Sequence, residues 1–119
     1  MAVATFRKGE YRTKTHVAAA NIAAGAIVLL GNTAGLANGV AHHDIVNSAT
    51  GTLAIGGGVY ELINRNNAAT GATVYADVAN GWVTSVSTNM SLFGYISENG
   101  GGGTNSLCLC LHEPYYPPA

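Results

Sequence analysis

The sequence predicts an all-β fold, a small glycine-rich β-barrel or β-sandwich with an extended N-terminal arm and a Pro/Tyr C-terminal tail. Three observations predict it. Short runs of β-branched, aliphatic and aromatic residues recur along the chain and are cut by glycines, as where Leu53-Ala54-Ile55 meets Gly56-Gly57-Gly58 and Val59-Tyr60 follows; such punctuation marks strands joined by tight turns. Two stretches alternate strictly, Val74, Ala76 and Val78 against Thr73, Tyr75 and Asp77, and Leu107, Leu109 and Leu111 against Cys108, Cys110 and His112. That period of two belongs to a pleated strand. The dipeptide Asn80-Gly81, set between one such run and Trp82-Val83-Thr84, predicts a type I′ hairpin turn with positive φ at both central positions.

The elements follow in chain order. Residues 1–15 form a polar arm in which Phe6 and Tyr11 are the only large anchors, so the arm is expected to order on contact with a partner, because fixing a backbone costs about 1–2 kcal/mol per residue. The alanine-rich stretch 17–30 has helical propensity, but Gly25 interrupts it and Ile27-Val28-Leu29-Leu30 reads as a strand stopped by Gly31-Asn32. Strand, turn, strand is favoured there over a short helix. Basic residues followed by this apolar run imitate a secretion signal, yet the run contains Asn21 and is too short to span a bilayer; no membrane association is expected. Residues 36–40 and 45–46 are short strands split by His42-His43-Asp44, and the polar 47–51 is a turn. The all-β domain then runs to residue 112, interrupted by a glycine loop at 100–103. The tail, 113–119, carries three prolines and cannot continue a ladder.

A chain of 119 residues fits one domain. Only 9% of residues are charged while 48% are apolar; ordinary soluble domains carry roughly 25% charge. Such a thin charge coat suits a surface buried in an assembly. Net charge is −1, but Arg7, Lys8, Arg12 and Lys14 with Glu10 give the first fourteen residues +3, and the remainder carries −4. The two parts are therefore complementary to each other or to the opposite parts of neighbours. Four cations interleaved with a carboxylate make a weak nucleic-acid footprint, and no nucleic-acid partner is expected.

The residues that could carry chemistry are sparse. His42-His43-Asp44 has no third metal ligand at a recognisable spacing, and it reads as a polar surface turn. Cys108 and Cys110 lie about 6–7 Å apart along an extended strand, too strained for a disulfide. Cys108 and His112 are about 13 Å apart, too far to share an ion. The cysteines read as small residues packing under a neighbouring strand or loop. No G-x-S-x-G elbow is present, and the only lysines, Lys8 and Lys14, exclude a G-K-[ST] phosphate loop at Gly56-Gly57-Gly58. Neither an enzyme, a metal nor a cofactor is predicted.

One resemblance adds to this reading. Ala23-Ala24-Gly25 with Val28 and Leu30-Gly31, then Gly51-Thr52-Leu53-Ala54 with Gly57-Gly58-Val59-Tyr60-Glu61-Leu62, Gly71-Ala72-Thr73-Val74-Tyr75, Asn80-Gly81 and Phe93-Gly94-Tyr95-Ile96 together resemble the small phage capsid cement, or head decoration, proteins. The resemblance covers roughly residues 22–111. It departs from the family at His42-His43-Asp44, where a plainer turn is usual, and in the tail. The family implies a structural protein of the virion that binds the outer surface of a capsid, contacts the major capsid protein, forms a homotrimer and assembles in the host cytoplasm. On that reading the capsid-contact residues are Phe6, Arg7, Lys8, Tyr11, Arg12 and Lys14, with the arm adding an edge strand or lying in a groove. The alternative is a small β-barrel ligand-binding or adhesion module, with Trp82 and the tyrosines lining a pocket; a major capsid or tail subunit is disfavoured by the chain's length.

Overall fold

The computed structural model describes residues 3–30, 38–86, 90–99 and 106–114. The glycine loop expected at 100–103 and most of the Pro/Tyr tail lie outside the described residues. Ten strands are present: β1 (Thr5–Lys8), β2 (Arg12–Val17), β3 (Ile27–Leu29), β4 (Asn38–Ala41), β5 (Thr50–Gly56), β6 (Val59–Asn64), β7 (Thr73–Asp77), β8 (Trp82–Thr84), β9 (Ser91–Asn99) and β10 (Ser106–His112). The stretch 17–30 contains no helix: it ends β2, contributes Ile22 to a single bridge with Ile45, and forms β3.

Strands β6, β10, β9, β7 and β8 close into a five-stranded barrel, sealed by a parallel bridge between Asn64 of β6 and Val83 of β8. Closure removes exposed edges, which a sandwich would leave open. β1 takes the rest of the β6 edge, with Thr5 opposite Glu61 and Phe6 opposite Tyr60. A second, four-stranded antiparallel sheet runs β2-β5-β4-β3. The main core fills the barrel and the space under the second sheet, with Tyr60, Leu62, Val74, Val83, Phe93, Ile96 and Cys110 fully buried. A smaller cluster of Ala18, Ala41, Ile45 and Leu53 covers the other side of the second sheet.

The two sheets are continuous through one corner. β5 leads into β6 through Gly57-Gly58, and β1 leads into β2 through Gly9-Glu10-Tyr11. Since β1 pairs with β6 and β2 with β5, both connections bend at the same place. Gly9 and Gly57 make this possible, with φ of +100° and +99°. A Cβ on Gly9 would lie 2.9 Å from the Gly57 carbonyl oxygen, and one on Gly57 would collide with the Glu10 carbonyl. The end of β10 stitches the corner down: Gly57 N–H donates to the His112 carbonyl, and His112 N–H to that of Gly58, both at 2.8 Å.

The hairpin at Asn80-Gly81 exists but is not the two-residue turn expected. Asp77 pairs with Trp82 across a four-residue loop. Gly81 alone in that loop has positive φ, +79°, and its N–H donates to the Asp77 carbonyl at 2.7 Å. The Asp77 carboxylate accepts from Asn80 N–H at 3.3 Å and from its side-chain amide at 2.8 Å. This side-chain clasp favours the longer loop, in the manner of an Asx turn.

Replacing Gly57 with Ala is expected to lower unfolding free energy by about 1–3 kcal/mol, since both the φ and the Glu10 contact oppose a side chain. Gly81→Val is expected to cost more than about 1 kcal/mol through φ alone. Urea denaturation of each variant checks both values, and an unchanged midpoint for Gly57→Ala would contradict the corner geometry.

Candidate functional site

The six residues expected to contact a capsid are divided by the structure into two sets. Phe6 is half-buried and packs edge-on against Tyr11 and Tyr60, at ring separations of 5.1 and 5.6 Å, and against His42 at 5.0 Å. Tyr11 also stacks edge-on against His42 at 4.4 Å. These two aromatics therefore hold the ribbon of β1 and β2 onto its own domain. Arg7 donates to the Glu61 carboxylate at 2.5 Å on the outer face of the barrel. Such a surface ion pair contributes about 0–1 kcal/mol. Lys8, Arg12 and Lys14 are exposed.

The arm expected to order only on contact is thus laddered into both sheets. The sequence reading weighed only the side chains available for burial, Phe6 and Tyr11. It could not weigh the main-chain hydrogen bonds that β6 and β5 supply, which offset the ordering cost. Deleting residues 2–14 would remove β1, half of β2 and the Phe6 packing, and is therefore expected to lower stability.

β2 stands out on exposure. Five of its six residues are exposed and His16 is half-buried, so both faces of the strand meet solvent; Val17 is 61% exposed. Its ladder to β5 is antiparallel, with Lys14 opposite Leu53 and Thr15 opposite Thr52. β2 is the end strand of its sheet.

Behind the corner lies a buried polar bridge that the sequence did not announce. His112 of β10 and Asn38 of β4 are both fully buried. The Asn38 amide nitrogen donates to the Ser91 hydroxyl and the Leu92 carbonyl, each at 2.8 Å. Its oxygen is thereby an acceptor, and the 2.7 Å contact with His112 Nε2 makes that nitrogen the donor. Nδ1 of His112 is buried and has no hydrogen-bond partner. Burial lowers the His112 pKa from 6.5 to about 3, and the Arg12 guanidinium adds to the effect. The neutral ring joins the barrel to the second sheet.

The other polar candidates are engaged structurally. His42 Nε2 and the Tyr60 hydroxyl share a 2.7 Å hydrogen bond; burial raises the Tyr60 pKa, so its hydroxyl stays protonated. Asp44 accepts the Ala24 N–H at 2.8 Å, on a different partner from its neighbour His42. Cys108 and Cys110 point into the barrel with their sulfurs 3.5 Å apart. The contact with Cys108, together with burial, pushes the Cys110 thiol up, away from a nucleophilic thiolate.

The alternation 107–112 has its smaller, more polar face inward. Cys108, Cys110 and His112 are buried, whereas Leu107 is 51% exposed and Leu109 and Leu111 are half-buried on the outside. Tyr95, opposite Leu111, is 43% exposed beside them. Both faces of this strand are apolar enough that period alone could not choose between them. Among the other aromatics Tyr60 and Phe93 are core, while Tyr75 and Trp82 are half-buried, with the Arg65 guanidinium 5.2 Å from the centre of the Trp82 ring.

Comparison with known proteins gives one match: a family model described as phage cement protein covers residues 6–110. No curated protein and no solved structure matches the chain.

The His112 bridge predicts a pH dependence. A folded pKa of about 3 against 6.5 unfolded means that the unfolded chain binds the extra proton, so this stabilisation is complete above about pH 6.5 and is lost as pH falls towards 3. Unfolding free energy should therefore fall by up to about 1.4 kcal/mol per pH unit in that window. Parallel urea titrations of the wild type and His112→Gln at pH 7 and pH 5 isolate the effect: the wild type should lose more stability than the variant, and equal losses would contradict a neutral, load-sharing histidine.

Proposed function

Because the chain belongs to the phage cement protein family, matched over residues 6–110, we propose that it binds the outer surface of a phage capsid and stabilises contacts between major capsid subunits. It is a phage structural protein, and its family places it on the capsid of the virion. The observation that carries the reading is the extent of the match, from Phe6 in β1 to Cys110 in β10, which takes in every strand of both sheets.

The physical mechanism is linkage. A protein that binds the mature lattice and not its looser precursors stabilises that lattice by RT ln(1 + [L]/Kd), about 3–4 kcal/mol per site at a hundred- to thousandfold excess over Kd. Many copies act together against internal pressure. Assembly takes place in the host cytoplasm, where the two free thiols stay reduced. The protein self-associates as a homotrimer. The low charge content and the exposed leucine face of β10 support self-association, since a contiguous outward apolar stripe is a poor surface for a free monomer. Capsid contact falls to the ribbon of β1 and β2, with Lys8, Arg12 and Lys14 meeting carboxylates and Phe6, Arg7 and Tyr11 holding the ribbon in place.

Cosedimentation with empty capsids of the parent phage tests the reading. The protein is expected to pellet with capsids at micromolar concentration and to raise their melting temperature; a stable monomer that stays in the supernatant overturns it. Leu107→Asp is expected to weaken self-association in analytical ultracentrifugation while leaving the far-ultraviolet circular dichroism spectrum intact.

A further inference from the structure

We infer that β2 is a preformed acceptor edge, to which an extended, carboxylate-bearing segment of the capsid protein adds as a further antiparallel strand. This rests on the cement reading and specifies its contact.

The register fixes which backbone groups are on offer. Ala18 N–H donates to the Ala49 carbonyl at 3.0 Å, and the pairing continues as His16 opposite Gly51 and Lys14 opposite Leu53. In an antiparallel ladder the hydrogen-bonded pairs alternate. Even-numbered residues of β2 therefore turn their N–H and C=O towards β5, while Thr13, Thr15 and Val17 turn theirs to the free edge. Among the described residues no strand lies on that edge. An ordered strand with both faces exposed and one edge unpaired buries little of its own, and natural sheets usually shorten or cover such an edge.

Charge identifies the occupant. Arg12 and Lys14 share one face of β2 with His16, and the two cations set its charge. An added strand would set its own side chains directly opposite these, where opposite charges stabilise and like charges destabilise the pair. A second copy cannot meet this condition. β2 itself carries no carboxylate to set opposite Arg12 and Lys14 in any register, and antiparallel pairing centred on Lys14 sets Lys14 against Lys14. The other strands with a free edge are β3, which carries no charged residue, and β1, which carries Arg7 and Lys8. The carboxylates that lie in strands, Glu61, Asp77 and Glu98, are in β6, β7 and β9, strands whose edges are taken up by barrel pairing. Among the described strands no free edge carries a carboxylate, so the acidic strand comes from a different protein, and on the cement reading the capsid lattice is the surface in reach.

Thr13→Pro and Thr15→Pro test this. Each removes an N–H from the free edge and leaves the ladder to β5 whole, a setting in which a strand tolerates proline. Circular dichroism and melting temperature should stay close to wild type, while affinity for empty capsids of the parent phage should drop at least tenfold. Should a proline variant fail to fold, Lys14→Glu keeps every backbone group. It should weaken attachment at low salt, by a margin that shrinks as salt is raised. If the wild type pellets with capsids and these variants pellet equally well, the acceptor edge is wrong and the cement reading stands. If the wild type itself does not pellet, the cement reading fails and takes this inference with it. Loss of self-association with capsid binding intact would assign the edge to a second copy and overturn the proposal.

Discussion

Everything in this molecule passes through the corner where Gly9 lies against Gly57. Two chain segments far apart in sequence must bend together there, because β1 pairs with β6 on one side of the bend and β2 with β5 on the other. If one bent and the other did not, either β1 or β2 would lose its ladder. Positive φ at both glycines, and backbone approach too close for any Cβ, let the pair turn as a unit. The barrel and the second sheet are then parts of one hydrogen-bonded surface folded back on itself, and the position of β2 follows from that geometry.

The corner is anchored from behind by the end of β10. His112 uses its backbone on Gly57 and Gly58 and its ring on Asn38. Asn38 is in turn held by Ser91 and Leu92 of β9. A fully buried polar group is costly unless its partners are supplied, and Asn38 has all of them. The unpartnered Nδ1 of His112 is the residual cost. Two elements of the barrel and one of the second sheet are thus tied by a network that exists only when all three are in place, which gives the sheet-on-barrel packing one orientation.

Two outer features contrast with this closed interior. β2 extends the second sheet beyond its covered part, and the leucines of β10 face outwards while Cys108, Cys110 and His112 of that strand are buried. Both features place main-chain or apolar groups in water, which a free monomer gains nothing from and an assembly can use. The concentration of positive charge on the ribbon, in a chain otherwise acidic, points the same way.

The all-β class, the strand at 73–77, the return strand after Asn80-Gly81 and the strand-breaking role of Gly56-Gly57-Gly58 were legible in the chain, because period two and glycine punctuation are local consequences of backbone sterics. The family was also legible, through a set of short glycine-centred motifs in fixed order. The choice between barrel and sandwich was not legible there, since closure rests on a bridge between Asn64 and Val83, residues that carry no mark of it; the folded structure made it. It decided that residues 5–8 and 12–17 are strands, because their ordering is supplied by main-chain partners more than fifty residues away or nearly forty. It also decided which face of β10 is inside. There Cys108 and Cys110 pack into one core with Tyr60, Phe93 and Ile96, neighbours from other strands that no local pattern contains.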